Sequence, residues 1–373
     1  MSKRLSVLGI IAAALLAVAA GLVILLIGNS GGSEAGSEPA AEPVTGQTTG
    51  PTGPAEPPAP AGSNQLSGLN LTAYTSDGYS GSEEALDRIS ALSSTAVTLV
   101  PTWYMDSADS NEVGPERGKS PNDDSLYRAI EAARNAGLKV ILKPHVDVLD
   151  GTFRGDIRPS DPAAWFRSYR QYIDRYAWIA KDVGADLYVV GTELKGVSGD
   201  VDQWRSLIES VREKFPGRLT YAANWDEVEG IQFWDALDLI GVDAYYPLSA
   251  DGELPTEQGL LDAWTPIVVG LRELSVQWGR PVIVTEIGYP AQPYGTAHPW
   301  EVRADESPDQ ATQALAYRAA FSAFAGAEWL KGINWWSWRA DLAPDEDPAT
   351  DYSPEEKEAE AVLSAGQAGL IRP

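Results

Sequence analysis

From Leu69 onward, apolar and polar residues follow one another in two alternating patterns. Short apolar runs bounded by Gly, Pro or polar residues predict buried strands, and the amphipathic stretches between them predict helices. The runs that we interpret as strands are Leu69–Tyr74, Ala96–Tyr104, Lys139–Val148, Asp186–Leu194, Leu219–Asp226, Asp238–Leu248, Pro281–Pro290 and Gly332–Trp338. Helices are predicted at Ser82–Leu92, Ser125–Ala136, Pro162–Val183, Asp202–Phe215, Leu261–Leu274, Asp309–Glu328 and Ser353–Ala365, with a short one between the fifth and sixth strands.

This order of elements predicts an α/β fold, namely a closed (β/α)8 TIM barrel. A doubly wound open sheet is the competing architecture. It is the weaker interpretation because no Gly-rich phosphate loop follows the first strand and because polar residues end nearly every strand. In a barrel those strand ends converge on one mouth, so side chains far apart in the sequence become neighbours.

The N-terminal segment differs from the rest of the chain in hydropathy. Lys3 and Arg4 precede an almost unbroken apolar run, Leu5–Ile27, which is long enough to span a bilayer as a helix. The positive-inside rule keeps the N-terminus cytoplasmic and the remaining chain outside. Ala17–Ala19 resembles a signal-peptide cleavage site, but the run continues eight residues past it, which favours an uncleaved anchor. We expect a single-pass protein of the cell membrane with an extracellular catalytic domain, or a secreted one if the segment is cleaved.

Composition divides the chain into three parts. The predicted transmembrane anchor, residues 1–27, is followed by residues 28–65, which are rich in Gly, Ser, Pro and Glu and contain no aromatic residue. Such a composition is typical of a disordered linker. Residues 66–373 form the predicted catalytic domain. Because the chain contains no cysteine, an exported domain would fold without disulfides and depend on a large core.

Charge and aromatic content narrow the class of partner. The formal net charge of −25 repels polyanions, so nucleic acid is not predicted as a partner. Thirteen Trp and fifteen Tyr residues favour a neutral ligand rich in hydroxyl groups, although core packing is the expected place for any single ring. A neutral polysaccharide or oligosaccharide meets both conditions.

Two of the predicted strands end in the same Thr-Glu pair. Glu286 closes the apolar run in PVIVTEIGYP, and Glu193 takes the equivalent position in DLYVVGTEL. Carboxylates are rarely buried unless they are paired or have a chemical task. Across the mouth of a barrel, two carboxyl groups can flank a glycosidic bond, one protonating the leaving oxygen and the other supporting the oxocarbenium-like centre. We therefore predict Glu193 and Glu286 as catalytic residues, with structural ion pairs as the alternative.

The strand ends deliver further side chains that could bind a substrate. The predicted substrate-binding residues are Tyr74, Trp103, His145, Asn224, Tyr245 and Trp336. Tyr245 is preferred to Tyr246 because it shares its strand parity with Asp243, and by the same alternation Trp336 is expected to share a face with Trp338. The alternative for Asn224 is that it only caps the following helix.

Three polar residues inside the predicted third strand, Lys143, His145 and Asp147, need a separate interpretation. His145 and Asp147 could be metal ligands, but the only other histidine, His298, lies in a different loop. Neither a zinc site nor a cofactor is therefore predicted. Lys143 lies inside an apolar strand and needs a partner if it faces the barrel, for which Asp243 is the candidate.

The segments KPHVDV, VGTELKG, YAANW, GVDAYYP, VTEIGYP and INWWSW follow one another between Leu69 and Arg339. Together they resemble glycoside hydrolase family 113, a group of β-mannanases in the large clan of retaining (β/α)8 hydrolases. The resemblance implies that Glu193 is the acid/base and Glu286 the nucleophile. It also implies that the sugar being cleaved contacts His145, Asn224, Tyr245 and Trp336. Thr192 stands where the wider clan usually has Asn, which leaves the contact to the 2-hydroxyl group unassigned.

These observations favour one function and leave two alternatives open. The leading hypothesis is a retaining glycoside hydrolase that cleaves β-1,4-mannosidic linkages in mannan or glucomannan. The first alternative is hydrolysis of another β-glycan, of the glucan type, on the same framework. The second is a non-catalytic surface barrel that binds carbohydrate, although such a protein would need neither glutamate.

Overall fold

The computed structural model of the chain describes residues 65–340 and 347–370. The predicted anchor and all of the predicted linker except residue 65 lie outside the described residues, and both stay predictions. Within the described part, no helix is long and apolar enough to cross a membrane.

Eight parallel strands form a closed barrel, which confirms the predicted (β/α)8 architecture. The strands, in chain order, are β1 Gly68–Thr72, β2 Ala96–Val100, β3 Lys139–Leu142, β4 Leu187–Thr192, β5 Leu219–Asn224, β6 Ile240–Asp243, β7 Val282–Ile287 and β8 Leu330–Arg339. Each strand pairs with the next, and β1 closes the ring by pairing with β8. All of the strands therefore point their C-terminal ends toward one mouth.

Each helix overlaps the segment that the amphipathic pattern predicts, but the last one begins and ends five residues later than predicted. They are α1 Glu83–Ala91, α2 Asp123–Asn135, α3 Pro162–Asp182, α4 Val201–Lys214, α5 Glu257–Trp278, α6 Gln310–Ala323 and α7 Glu358–Leu370. The predicted short helix between β5 and β6 consists of two 3₁₀ turns, Val228–Gly230 and Trp234–Ala236. At the start of α3, the Asp161 side chain accepts from the backbone N–H of Ala164, and Pro162 supplies the fixed φ of the first turn.

Two predicted strands are each divided into two. Thr102–Met105 continues beyond β2, and His145–Val148 continues beyond β3, and these two short strands pair with each other in parallel above the barrel. Pro101 and Pro144 stand at the breaks. Since proline has no N–H to donate, it cannot continue the ladder of a central strand. The small sheet carries His145 toward the mouth.

Aromatic rings fill much of the space between the barrel and α3. Trp165 stacks on Tyr169 at a ring distance of 4.7 Å, and both are almost completely buried. The Tyr169 hydroxyl donates to the carbonyl of Val190 in β4, and the Tyr172 hydroxyl donates to the carbonyl of His145. These bonds fix the neighbouring strand ends, so many of the aromatic residues serve the core.

Candidate active site

The mouth of the barrel encloses a cavity of about 630 Å³. Its lining consists of Phe153, Arg154, Glu193, Asn224, Trp225, Asp226, Tyr245, Glu286, Trp300, Trp336 and Tyr352. Five sequence-predicted residues are thus brought together by the ends of five consecutive strands, β4 to β8. They are Glu193, Asn224, Tyr245, Glu286 and Trp336.

Strand register sets three polar side chains at one level of the barrel. Asn224 pairs with Asp243, and Asp243 pairs with Glu286. The register shifts by one residue after Val242, so that the adjacent residues Thr285 and Glu286 both reach the interior. Thr285 donates its hydroxyl to Asp243 Oδ1 at 2.7 Å. The shift therefore explains how β7 places a carboxylate where strict alternation would turn it outward.

Glu286 is surrounded by groups that favour its ionised form. Lys143 Nζ contacts Oε1, His145 Nε2 lies 3.4 Å from the same oxygen, and the Tyr245 hydroxyl donates to Oε2 at 2.7 Å. Burial opposes ionisation, but the positive charge of Lys143 and the contact with His145 outweigh it and hold the pKa of Glu286 well below its usual range. Burial lowers the pKa of His145 to about 4, so its imidazole is neutral at pH 7.

Lys143 is shared between two carboxyl groups. Its Nζ lies 3.5 Å from Asp243 Oδ1 as well as in contact with Glu286, and all three side chains are nearly inaccessible. This confirms the predicted Lys143–Asp243 pairing. Burial and the neighbouring Glu286 raise the pKa of Asp243 well above its usual range. Of the two carboxyl groups, Glu286 therefore favours the charged form more strongly than Asp243 does.

Glu193 is held in an unusual backbone conformation. Strand β4 ends at Thr192, and Glu193 has a φ of 54°, in the left-handed region that non-glycine residues seldom occupy. Its N–H donates to the carbonyl of Ala222 at 2.8 Å, and the N–H of Leu194 donates to the Tyr221 hydroxyl at 2.8 Å. Strained backbone that its surroundings hold in place is typical of functional sites.

The electrostatic surroundings of Glu193 differ from those of Glu286. Arg154 Nη1 donates to Glu193 Oε2 at 2.9 Å, and only 7% of the Glu193 side chain is exposed. Burial, opposed in part by Arg154 and reinforced by the charge of Glu286, raises the pKa of Glu193 to about 7. One carboxyl group in the cavity is thus ionised over the whole physiological range, and the other exchanges its proton near neutrality.

Asn224 and Tyr245 both lie where the sequence predicts them, Asn224 at the end of β5 and Tyr245 on the face that strand parity favours. Asn224 lines the cavity while its Oδ1 accepts from the N–H of Trp225 at 2.9 Å, which leaves its amide N–H groups to donate to a ligand. Tyr245 faces Glu286, whereas Tyr246 points outward against Trp264 of α5. Asn224 therefore both caps the local turn and faces the cavity.

Trp336 and Trp338 of β8 do not share a face, so this expectation was wrong. Trp336 lines the cavity, and its ring stacks parallel to that of His145 at 5.8 Å. Trp338 is completely buried below the guanidinium of Arg88 in α1. The β1–β8 register accounts for the difference. Leu69 pairs with Trp335 and Leu71 pairs with Trp338, so β8 has one more residue than β1 over this stretch. This bulge reverses the alternation after Trp336.

Trp103 and Tyr74 lie outside the cavity lining. Trp103 pairs in register with Val146, whereas its neighbours on the short strand pair with His145 and Asp147. Its ring consequently turns away from the mouth and stacks on Tyr172 of α3 at 4.7 Å. Tyr74 lies two residues beyond β1 and is half-buried. His145 is also absent from the lining, but its contact with Glu286 at 3.4 Å places it beside the site. The structure therefore brings six of the eight predicted residues together and leaves Trp103 and Tyr74 apart.

The histidines of the described residues do not form a metal-binding group. His145 lies against Glu286, and Asp147 is paired with Arg154. His298 lies 3.3 Å from Asp251 in another loop. Residues 65–340 and 347–370 contain no set of three His, Cys, Asp or Glu side chains arranged to hold a metal ion.

Several residues of the cavity are not among those that the sequence pattern indicates. Phe153 and Arg154 lie on the loop between β3 and α3, Trp300 lies on the loop before α6, and Tyr352 lies before α7. Loops carry no hydrophobic period, so nothing in the pattern points to these positions. Trp225 had a signal, since it directly follows Asn224 in the YAANW segment; its ring stacks on Trp300 at 6.0 Å.

Several solved structures that are similar to this chain are glycoside hydrolases. A GH113 β-1,4-mannanase is 27% identical, with a TM-score of 0.73, over 82% of this chain and 99% of that chain. The GH113 β-mannanase of Alicyclobacillus acidocaldarius, solved in complex with ManMIm, is 29% identical, with a TM-score of 0.74, over 82% of this chain and 98% of that chain. A family 5 mannosidase from Rhizomucor miehei shares the fold alone, at 10% identity and a TM-score of 0.59 over 83% and 94%.

Sequence comparison identifies the family. A search of curated protein sequences finds no match to this chain. The sequence model of glycoside hydrolase family 113, in contrast, matches residues 74–357, which include all five strand-end residues of the cavity. Taken with the closed barrel and the paired carboxyl groups at its mouth, this match shows that the protein acts on carbohydrate and that the chain belongs to glycoside hydrolase family 113.

Proposed function

We propose that this protein is a retaining β-mannanase that cleaves β-1,4-mannosidic linkages in mannan or glucomannan. The observation that carries the proposal is the contrast between two carboxyl groups in one cavity. The pKa of Glu286 is held well below its usual range, and that of Glu193 is raised to about 7. A retaining mechanism needs one ionised nucleophile and one group that gives and later takes a proton.

Glu286 attacks the anomeric carbon and forms a glycosyl-enzyme. Because Lys143 and Tyr245 already fix its two oxygens, the carboxylate is oriented before substrate arrives. Glu193 first protonates the departing glycosidic oxygen. It then removes a proton from the water that releases the sugar, for which a pKa near the working pH is suited.

The sugar ring being cleaved stacks on Trp336, whose face lies open to the cavity above His145. Asn224 donates to a hydroxyl of that sugar through the amide group that Trp225 does not use. Mannose as the preferred sugar is supported by two family 113 mannanases at 27% and 29% identity.

The catalytic domain acts outside the cell, tethered by the predicted anchor. The support is the long apolar run of residues 5–27 and the basic residues before it. N-terminal sequencing of the protein from its native membrane tests this: an intact N-terminus is expected, and a start near Ala20 would contradict an uncleaved anchor.

The activity is tested with a reducing-sugar assay of the fragment that begins at Ser63. The substrates are mannan, glucomannan, β-glucan, xylan and chitosan. We expect the highest kcat/KM on mannan or glucomannan. Preferential release from β-glucan would support the competing glucan-type activity, and binding of glycans without release of sugar would indicate a binding protein.

The two roles are separated with azide. Glu286→Ala loses nearly all activity, and azide restores part of it by giving a glycosyl azide of inverted configuration. Glu193→Ala still forms the glycosyl-enzyme from an activated aryl glycoside, because that leaving group needs no proton, and azide then gives the retained product. If the two configurations were exchanged, the roles would be exchanged as well. Net inversion by the unmodified enzyme would exclude a nucleophilic carboxylate.

A further inference from the structure

One arginine links the proposed acid/base to a carboxylate that has no place in the reaction so far. Arg154 donates from Nη1 to Glu193 Oε2 at 2.9 Å, and from Nη2 to Asp147 Oδ1 at 2.5 Å. Its Nε donates to the same Asp147 oxygen at 3.2 Å and to the carbonyl of Val146 at 3.1 Å. The guanidinium is therefore fixed on the edge formed by Nε and Nη2, and its remaining nitrogen, Nη1, is directed at Glu193.

The loop that carries Arg154 is packed directly against the turn that carries Glu193. Arg158 donates to the carbonyls of Gly155 and Ile157, which closes the loop on itself. Gly196, three residues after Glu193, lies so close to this loop that a Cβ on it would be 1.9 Å from the Ile157 carbonyl oxygen. The two segments therefore fit together only with glycine at this position, and they hold Arg154 and Glu193 in a constant relation.

Several charged groups face Glu193, and they are not equivalent. Lys143, directly after β3, and Glu286 in β7 both influence the charge of Glu193. These two groups lie in contact with each other, so their opposite charges largely compensate. Asp243 acts on Glu193 from β6, and Tyr245 and Tyr352 also face this group of acids. Arg154 is the cation bonded to Glu193 itself, and a guanidinium does not lose its proton in a protein.

Asp147 compensates only part of the Arg154 charge. Its side chain is 39% exposed, against 16% for Arg154 and 7% for Glu193, so water screens it more than it screens the other two. A bare arginine beside Glu193 would favour the ionised carboxylate and oppose its work as an acid. An arginine neutralised completely would no longer orient it. Because Asp147 compensates only part of its charge, Arg154 can orient Glu193 and still allow the carboxyl group to hold a proton.

We infer that Arg154 is a positioning residue that directs the Glu193 carboxyl group into the cavity, and that Asp147 adjusts the charge that Arg154 presents to it. The inference rests on the proposed function, in which Glu193 is the acid/base. It adds Arg154 of the β3–α3 loop and Asp147 of the short strand His145–Val148 to the residues that govern the reaction, and neither needs to touch the sugar.

The test is the pH dependence of kcat/KM in variants of opposite sign. Arg154→Met removes the cation, so the upper pH limit set by Glu193 rises by about 1 to 3 pH units. Asp147→Asn leaves the cation uncompensated, so the same limit falls, by less because Asp147 is farther from Glu193. Arg154→Lys keeps the charge but cannot bond both partners at once, so kcat falls while the limit stays near that of the unmodified enzyme.

A matched control is available on the outer surface. Arg205 binds Asp235 through two nitrogens, at 3.0 and 2.6 Å, in an exposed pair away from the cavity. Asp235→Asn makes the same chemical change there and leaves the upper limit unmoved. In a Glu193→Ala background the limit set by Glu193 is absent, so Asp147→Asn should leave the pH profile of that background with an activated aryl glycoside unchanged.

Carbon-13 NMR of protein labelled at the glutamate carboxyl carbons gives a readout that needs no substrate. The Glu193 signal, assigned by its loss in Glu193→Gln, titrates at higher pH in Arg154→Met and at lower pH in Asp147→Asn. Shifts in the same direction, or none in properly folded variants, would overturn the inference. Opposite NMR shifts in a protein that hydrolyses no glycan would uphold the electrostatic arrangement and reject the proposed function instead.

Discussion

The two halves of the cavity hold their glutamates by different means. Glu286 lies inside strand β7, beside the register shift that turns it inward. Its partners Lys143, His145 and Tyr245 stand at or just beyond the ends of neighbouring strands. Glu193 lies one residue past the end of β4, and its partner Arg154 belongs to a loop. For the mechanism proposed above, the comparison teaches that the ionised nucleophile is built into the barrel itself, whereas the acid/base is placed where its surroundings can be adjusted.

Lys143→Met is the change expected to separate the two halves most clearly. It leaves Asp243 and Glu286 buried together without their cation, and the free energy of unfolding should fall by about 3–5 kcal/mol. Arg154→Met should cost clearly less, because Asp147 is accessible to water. Urea unfolding at pH 7 measures both, and equal losses would mean that the two halves do not differ.

Trp336 extends the comparison from charges to packing. Trp336→Ala should lower kcat by roughly 10²-fold, since the sugar loses its platform beside Glu286, with little change in the melting temperature. Trp338→Ala is the matched control on the same strand. As Trp338 is completely buried, this variant should lose about 3–5 kcal/mol of stability and keep its activity per folded molecule. An unfolded Trp336→Ala protein would assign Trp336 to the core.

Glu193→Gln tests the cost of the buried acid. With an ordinary pKa of 4.5 when unfolded and about 7 when folded, the folded protein binds more protons between these values, so stability falls as pH rises through that window. The glutamine variant lacks this loss. It should therefore gain stability relative to the unmodified protein by roughly 1–3 kcal/mol between pH 4.5 and pH 7. Melting curves at pH 5 and pH 8 measure the gain, and a constant difference would argue against the raised pKa.

The unmodified enzyme should show an asymmetric pH profile. Above about pH 7 the kcat/KM should decline, because Glu193 loses its proton in the free enzyme. Well above that pKa, the decline should be about tenfold per pH unit. The acid side should stay flat to low pH, because Lys143 and His145 keep Glu286 ionised. A symmetrical bell centred near neutrality would contradict the difference between the two halves.

The barrel and its paired glutamates could be predicted because both leave regular signals. Each strand ends at the mouth, so Glu193 and Glu286 were recognisable as polar residues closing apolar runs. Trp103 was misjudged because its apolar run was interpreted as one strand, although the run breaks at Pro101. Trp338 was misjudged because simple alternation was carried through a bulge in β8. A register shift depends on how a strand pairs with its partner, and the sequence of one strand alone does not give this pairing.

The loop residues of the cavity were not predictable in the same way. Arg154 stands nine residues after His145, in a segment without period, and only the folded loop brings its guanidinium to Glu193. The predicted anchor and linker lie outside the described residues and stay predictions, as do the individual substrate contacts. The sequence thus defines the groups that strands carry, and the structure adds those that loops bring back to them.

The division between strands and loops also bears on how this enzyme could be redesigned. Phe153 and Trp300 are both about half exposed, at 46% and 49%, and they reach the cavity from loops on either side of it. Neither belongs to the hydrogen-bonded ladder that holds Glu286. A combinatorial library at these two positions should therefore yield enzymes that accept glycans of different branching, while the bond-breaking chemistry is inherited unchanged from the barrel.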